Sequence, residues 1–205
     1  MAKVTVAKDS GVWSRSAQRR PILYYSAVAL TLALLSAFLS PAQESRATES
    51  QVKAAYLYNF GKFITFPPNR SASSDPFSIC VLGKDPFGEA LDATVSGESI
   101  NGKKIIVQRL LNMQHAETCS ILFVSSSEES RLSLILPLAK KLSLLTVSDM
   151  AHFAEHGGII ELVRQQDRIR FEVNLQTAEE SHLTLSSELL KVAVRVIQKN
   201  AKGTQ

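Results

Sequence analysis

The sequence predicts an α/β fold: one domain with a mixed β-sheet flanked by helices and one intramolecular disulfide. Three observations lead there. Two short apolar runs, Phe77–Leu82 and residues 119–124, read as strands buried on both faces, the pattern a sheet covered by helices on each side requires. Segments with apolar residues three and four apart alternate with such runs, as helices do in α/β chains. The two cysteines of the 205-residue chain, Cys80 and Cys119, lie within or at the edge of those same two runs.

The N-terminal region sets the compartment. Residues 1–20 carry Lys3, Lys8, Arg15, Arg19 and Arg20 against the single acid Asp9, residues 22–39 carry no charge, and Ser40-Pro41-Ala42 is a small-residue exit. That order is the order of a secretory signal, with cleavage after Ala42. Eighteen apolar residues also suffice to cross a bilayer as a helix, so a retained anchor is the alternative. A buried core helix is a third reading, disfavoured because basic residues abut only one side of the run. The expected organisation is a signal over 1–42, a linker over 43–50, the folded domain over 51–199 and a flexible tail over 200–205. Of 23 basic and 19 acidic residues, five and one fall in 1–42, leaving 18 of each. A domain of zero formal charge offers no general footprint for nucleic acid. Lys103-Lys104 and Lys191, Arg195, Lys199 and Lys202 therefore read as solvated faces.

Outside the cytoplasm, two cysteines make one intramolecular pair, Cys80 with Cys119, the default, with buried free thiols or an intermolecular bond as alternatives. No Cys-x-x-Cys occurs, which argues against a thiol–disulfide oxidoreductase, and nothing clusters as a zinc or iron–sulfur ligand set does.

In chain order, Val52, Ala55, Tyr56, Asn59, Phe60 and Phe63 give residues 52–66 a helical period, ended by Pro67-Pro68. Gly61 weakens that helix by up to about 1 kcal/mol, so it marks a bend or a close crossing. After the strand Phe77–Leu82, residues 83–86 turn into a short helix with Asp85 as cap and Pro86 at its first position. Asn101-Gly102 is a turn before the strand Lys103–Leu110. Residues 111–117 form a loop or short helix, and 119–124 the next buried strand. Ser125 and Ser126 with Glu128 and Glu129 offer a capping box for a helix through Lys140. Residues 142–147 form a strand, and Ser148-Asp149 caps a helix over 150–156 that ends at Gly157-Gly158. Residues 158–163 and Arg168–Asn174 make an antiparallel hairpin across 164–167, with Ile169, Phe171 and Val173 facing the core. Ser186 and Ser187 start a last helix reaching about Lys199, its broad apolar face built from Leu189, Leu190, Ala193, Val194, Val196 and Ile197.

Catalytic chemistry is not legible. The serines at 125 and 126 lie in no Gly-x-Ser-x-Gly pattern and have no paired histidine, so capping is the better reading. Residues 83–86 have too few glycines for a phosphate cradle. His152 and His156, four apart, are a weak metal hint, and Arg170 and Glu172 lack identifiable partners. No catalytic, cofactor-binding or metal residue is expected, and no cofactor.

Residues 52–60 (Val-Lys-Ala-Ala-Tyr-Leu-Tyr-Asn-Phe), 77–83, 119–125, Leu145-Thr146-Val147-Ser148-Asp149, Phe153-Ala154-Glu155-His156-Gly157-Gly158, Arg168–Asn174 and Leu185-Ser186-Ser187-Glu188-Leu189-Leu190 resemble, in order, the successive motifs of the YfiR family. The resemblance spans about 52–198. It implies a non-enzymatic periplasmic regulator that binds the periplasmic sensory region of an inner-membrane diguanylate cyclase, lowers cyclic-di-GMP output, and is withdrawn by an outer-membrane lipoprotein. It also implies a homodimer, and it matches Cys80 and Cys119 to the disulfide that clamps the family fold. The second cysteine pair of some relatives is absent. A periplasmic small-ligand-binding domain is the alternative function.

Overall fold

The computed structural model describes residues 47–68 and 75–198. The signal or anchor expected over 1–42 and the tail over 200–205 lie outside the described residues. Among the described residues, no helix is long and apolar enough to cross a membrane.

The folded domain begins with α1 (Glu49–Lys62), two residues inside the stretch expected as linker. Thr48 accepts the Gln51 amide, and the Gln51 side chain accepts the Thr48 amide at 2.8 Å, a capping box that fixes the start. The helix ends at Lys62 rather than at Pro67, because Ile64–Thr65 (β1) pairs antiparallel with Thr184–Leu185 (β9). Gly61 does mark a close crossing: a Cβ there would sit 2.5 Å from Ile100 Cδ1 and 2.9 Å from Phe77 Cζ.

Next come β2 (Phe77–Leu82), α2 (Glu89–Val95), β3 (Ser99–Ile100), β4 (Lys103–Leu110), β5 (Ile121–Val124), α3 (Leu132–Lys141) and β6 (Leu145–Ser148). They are followed by β7 (Ile160–Gln165), β8 (Arg168–Asn174), α4 (Leu175–Glu180), α5 (Ser187–Val192) and β10 (Arg195–Ile197). Eight strands form one sheet in the order β10-β8-β7-β6-β5-β2-β4-β3. Strands β4, β2, β5, β6 and β7 run parallel, while β8 joins β7 as the expected antiparallel hairpin. One sheet face packs Ile79, Val81, Ile121, Phe123, Leu145 and Val147 beneath Ala54, Leu57 and Phe60 of α1 and Leu91 and Val95 of α2. The other packs Cys80, Leu82, Leu122 and Val124 beneath Ile135 and Ala139 of α3. Six of six β2 residues are buried, as a central strand covered on both sides should be.

Several local expectations give way to tertiary contacts. Pro86 does not open a helix; Asp85 caps a turn by accepting the Phe87 amide at 2.7 Å, and α2 starts at Glu89. Ser125 caps a 3-10 stretch (Ser126–Arg131) rather than a long α-helix, and Glu128 pairs with Arg131 instead of closing a capping box. No helix forms over 150–156. Three of its amides are claimed from outside: Met150 by Ser148 Oγ at 3.1 Å, and His152 and Ala154 by the buried carboxylate of Glu161 at 3.0 and 3.1 Å. His152 consequently lies in the left-handed region, at φ 63°. The final helix stops at Val192, and Arg195–Ile197 becomes β10 on the sheet edge, parallel to β8. Valine and isoleucine lose side-chain freedom in a helix and fit a pleated edge, so the sheet wins. Short α4, capped by Asn174 through the Thr177 amide, was not foreseen; Asn174 was its signal.

Candidate functional site

Cys80 and Cys119 are bonded, with Cα atoms 5.8 Å apart, and both are fully buried. The bond ties β2 to the entry of β5, on the α3 side of the sheet. Packed beside it are Leu82, Leu122, Ile135, Leu144 and Phe153. Such a bond is a clamp, enclosed and distant from solvent thiols.

The order of strands reverses at β2, whose neighbours β4 and β5 follow it on opposite sides. In open α/β sheets, the crevice beyond the strand ends at such a reversal is where ligands usually sit. Here that crevice is filled by the chain itself. Ser127 Oγ accepts the Lys84 amide at 3.0 Å, and a Cβ added to Gly83 would meet Ser127 Oγ at 2.4 Å and Glu128 Cγ at 2.8 Å. Beside it, Arg109 donates to Asp85 (3.0 Å), Asp92 (2.9 Å) and the Gly88 carbonyl (3.0 Å), binding the β2–α2 turn to the end of β4. Those two carboxylates hold the guanidinium charged well above its ordinary pKa, and Arg109 holds Asp92 below the usual carboxylate range.

Of the polar residues singled out from sequence, His152, Glu172 and Arg195 are joined through Glu155 in one surface ion-pair network. His152 and His156 have ring centroids 6.4 Å apart, with His152 Nδ1 3.1 Å from Glu155 Oε2. Among the described residues, no three His, Cys, Asp or Glu side chains gather as a metal site. Glu172 is engaged by Arg195 at 2.7 Å, while Arg170 is exposed on the same strand. Ser125 accepts the Ser127 amide, as a cap does.

The feature that stands out instead is α3. Only Ile135 and Ala139 of this helix are buried, four apart on one stripe, yet it also carries Leu132, Leu134, Leu136, Pro137 and Leu138. Leu134 is 74% exposed and Leu138 39%. Leu132, Leu136 and Pro137 form the apolar side of a groove of about 680 Å³, which Thr177 and Glu180 of α4, His156 and Gly157 complete. Lys140 of α3 and Glu180 of α4 form an ion pair where the two helices meet. Leu134 and Leu138 lie outside that groove, and two exposed leucines four apart on one helix make a candidate contact with another molecule. The signal was present in the sequence: a surface helix needs one apolar stripe, and every residue of 132–139 except Ser133 is apolar.

A protein-family model described as YfiR/HmsC-like matches residues 50–194. No curated protein matches the chain. Among solved structures, it is similar to a conserved domain protein from Vibrio cholerae O1 biovar eltor, with 14% identity, TM-score 0.46, and 58% of this chain and 54% of that one covered. It is also similar to an ABC domain from Streptococcus pneumonia solved with L-Trp, with 12% identity, TM-score 0.47, and 72% and 60% covered. The chain thus spans little more than half the length of each. With one family model matching residues 50–194, well over half of the chain, and the Cys80–Cys119 clamp in place, the chain belongs to the YfiR/HmsC-like family.

Proposed function

We propose that the protein is a periplasmic, non-catalytic negative regulator that binds the periplasmic sensory region of an inner-membrane diguanylate cyclase and so lowers cyclic-di-GMP. Family membership supports this reading, and the observation that carries it to a surface is the exposed leucine face of α3. Leu134 and Leu138, four residues apart, lie on one side of the helix. Burying them against a partner would remove apolar area from water, worth about 25 cal/mol per Å² before the costs of association. The cyclase is silent while its sensory region is occupied. A competitor, for which an outer-membrane lipoprotein is the family-based candidate, shifts that population by binding better. A homodimer is the family-based expectation for the free state.

The test is recovery from membranes. The immobilised, oxidised protein should retain a membrane protein with a GGDEF-type cyclase domain, identified by mass spectrometry. Leu134→Ser with Leu138→Ser should cut recovery by about tenfold or more, as loss of two interface anchors does, while leaving thermal stability nearly unchanged. Absence of any cyclase in the eluate from cyclase-containing membranes would overturn the assignment. A second reading, small-ligand binding, is favoured by the groove beside α3, whose volume lies in the range of small-molecule sites. The filled crevice at β2 and β5 counts against it.

A further inference from the structure

The two ends of the eight-stranded sheet are finished differently. At one end, β8 is covered by β10 and, further along, by Tyr56, whose hydroxyl donates to the Ile169 carbonyl at 3.0 Å. At the other, the two residues of β3 pair only with Lys103 and Lys104, at the start of the eight-residue β4. The Ile105 amide is engaged next, donating to the Glu98 carbonyl at 3.3 Å. Successive residues of a strand turn their backbone groups to opposite sides, and Leu110 turns its carbonyl inward, to the Gly83 amide at 3.0 Å. Val107 and Arg109 therefore turn theirs outward, away from β2. Among the described residues, no hydrogen bond reaches those two amides or those two carbonyls. Edge strands are ordinarily guarded by charge, proline, a bulge or a covering segment. Residues 105–108 are Ile-Ile-Val-Gln, and the Arg109 guanidinium is drawn aside to Asp85 and Asp92. Ile106 and Val107 are only half-buried, and Leu111 just beyond the strand is 89% exposed.

We infer that the open stretch of β4 is a seam between two copies of this chain, paired antiparallel about a two-fold axis at Gln108. A second copy is the occupant because the edge is complementary to itself in that register. Each copy offers two donors and two acceptors. The Val107 amide meets the carbonyl of the partner's Arg109, the Arg109 amide meets the carbonyl of the partner's Val107, and symmetry repeats both. Side chains agree with the backbone. Ile106 falls opposite the partner's Leu110, apolar against apolar on the α3 side of the sheet, and Val107 falls opposite the partner's Arg109, so like charges do not face each other directly. Sliding the partner two residues toward β3 would set its Arg109 opposite Ile105, a place Glu98 already fills. The inference rests on the homodimer proposed for the free state and supplies its interface, leaving the leucines of α3 to the other partner.

Analytical ultracentrifugation of the oxidised native chain over a concentration series should show a reversible monomer–dimer equilibrium. Val107→Pro removes only an outward amide, a change an edge strand tolerates. It should raise the dimer dissociation constant at least about tenfold, because symmetry removes the hydrogen bond twice. An unchanged far-ultraviolet spectrum checks that this variant folds. The second variant is Gln108→Cys. Residues opposite each other at a non-hydrogen-bonded antiparallel position have Cα atoms about 4.5 Å apart, a span a disulfide can bridge. Mild oxidation should therefore link two copies through position 108, whereas Lys104→Cys, at the end covered by β3, should not link. A native chain that stays monomeric would overturn the seam and the homodimer together, leaving the edge to a strand of a different protein. A native dimer that the folded Val107→Pro chain still forms with equal affinity, or that Gln108→Cys fails to link, would overturn the seam alone and place the dimer contact elsewhere.

Discussion

Breaking the Cys80–Cys119 bond should lower the free energy of unfolding by about 4 kcal/mol. The bond closes a loop with a sequence separation of 39. On the chain-entropy model, releasing such a loop returns about 13 cal/mol/K to the unfolded chain, which at 25 °C is about 4 kcal/mol. For a domain of about 150 residues, each kcal/mol moves the melting temperature by about 2–4 °C, so the shift should be about 8–16 °C. Both sulfurs are fully buried against Leu82, Leu122, Ile135 and Phe153, so two thiols must fit where one bonded pair did. That strain adds to the loss rather than offsetting it. The assay is a urea and thermal melt of oxidised protein, protein reduced with dithiothreitol, and Cys80→Ala with Cys119→Ala. Reduced protein should unfold with a larger urea dependence as well, because its unfolded chain is more expanded. A shift below about 3 °C, with two free thiols per chain titrated in the reduced sample, would refute the clamp. If the clamp also sets regulation, cyclase binding should be retained after reduction at low temperature and lost along the displaced melting curve. The unfolded fraction would rise about a thousandfold at 25 °C, yet a domain with ordinary stability of about 5–15 kcal/mol would remain mostly folded.

Two further outcomes follow from single residues. Gly61→Ala should destabilise the domain by about 1–2 kcal/mol even though alanine favours a helix by up to about 1 kcal/mol, because its methyl would meet Ile100 and Phe77 at 2.5 and 2.9 Å. Ile100→Val should recover part of that loss in the double variant, read as a non-additive term in urea melts. Asp92, whose pKa Arg109 depresses by hydrogen bonding and charge, contributes stability that is present above the ordinary carboxylate range and lost as pH falls through its lower folded-state value. Arg109→Ala should abolish that part of the acid dependence below about pH 4, at a cost near neutrality of no more than about 1 kcal/mol for so exposed a pair. An identical pH profile of melting temperature in the native and variant chains would remove Arg109 from this role.

The elements legible in the sequence are those whose cause is local or whose burial is complete. Phe77–Leu82 reads as a strand because all six residues are apolar or small and all are buried. Asn101 and Gly102 both adopt positive φ in the turn between β3 and β4, as the Asn-Gly pair leads one to expect. The β7–β8 hairpin turns tightly at Gln166-Asp167, both left-handed, within the four residues foreseen. What failed was decided by distant groups. Residues 150–156 carry a reasonable helix signal, but Glu161 and Ser148 take their amides. Residues 193–197 carry the apolar spacing of a helix, but the β8 edge takes their backbone. The two-residue strands β1, β3 and β9 are too short to show any period.

The candidate site divides the same way. That α3 is helical, leucine-rich and preceded by a serine cap is written in residues 125–141. That Leu134 and Leu138 stay exposed while Ile135 and Ala139 are covered follows from how the sheet meets the helix. The groove exists only because α4, from forty residues further on, brings Thr177 and Glu180 alongside.

By itself the sequence determined the single cysteine pair, the α/β class and the succession of its main strands along the chain, because apolar runs and turn residues act over a few positions. Tertiary structure alone decided which apolar helix would remain uncovered, which amides a buried glutamate would claim and where the last strand would lie. Those outcomes depend on competition among groups far apart in the chain, whose free energies exceed any local preference only once the sheet has brought them together.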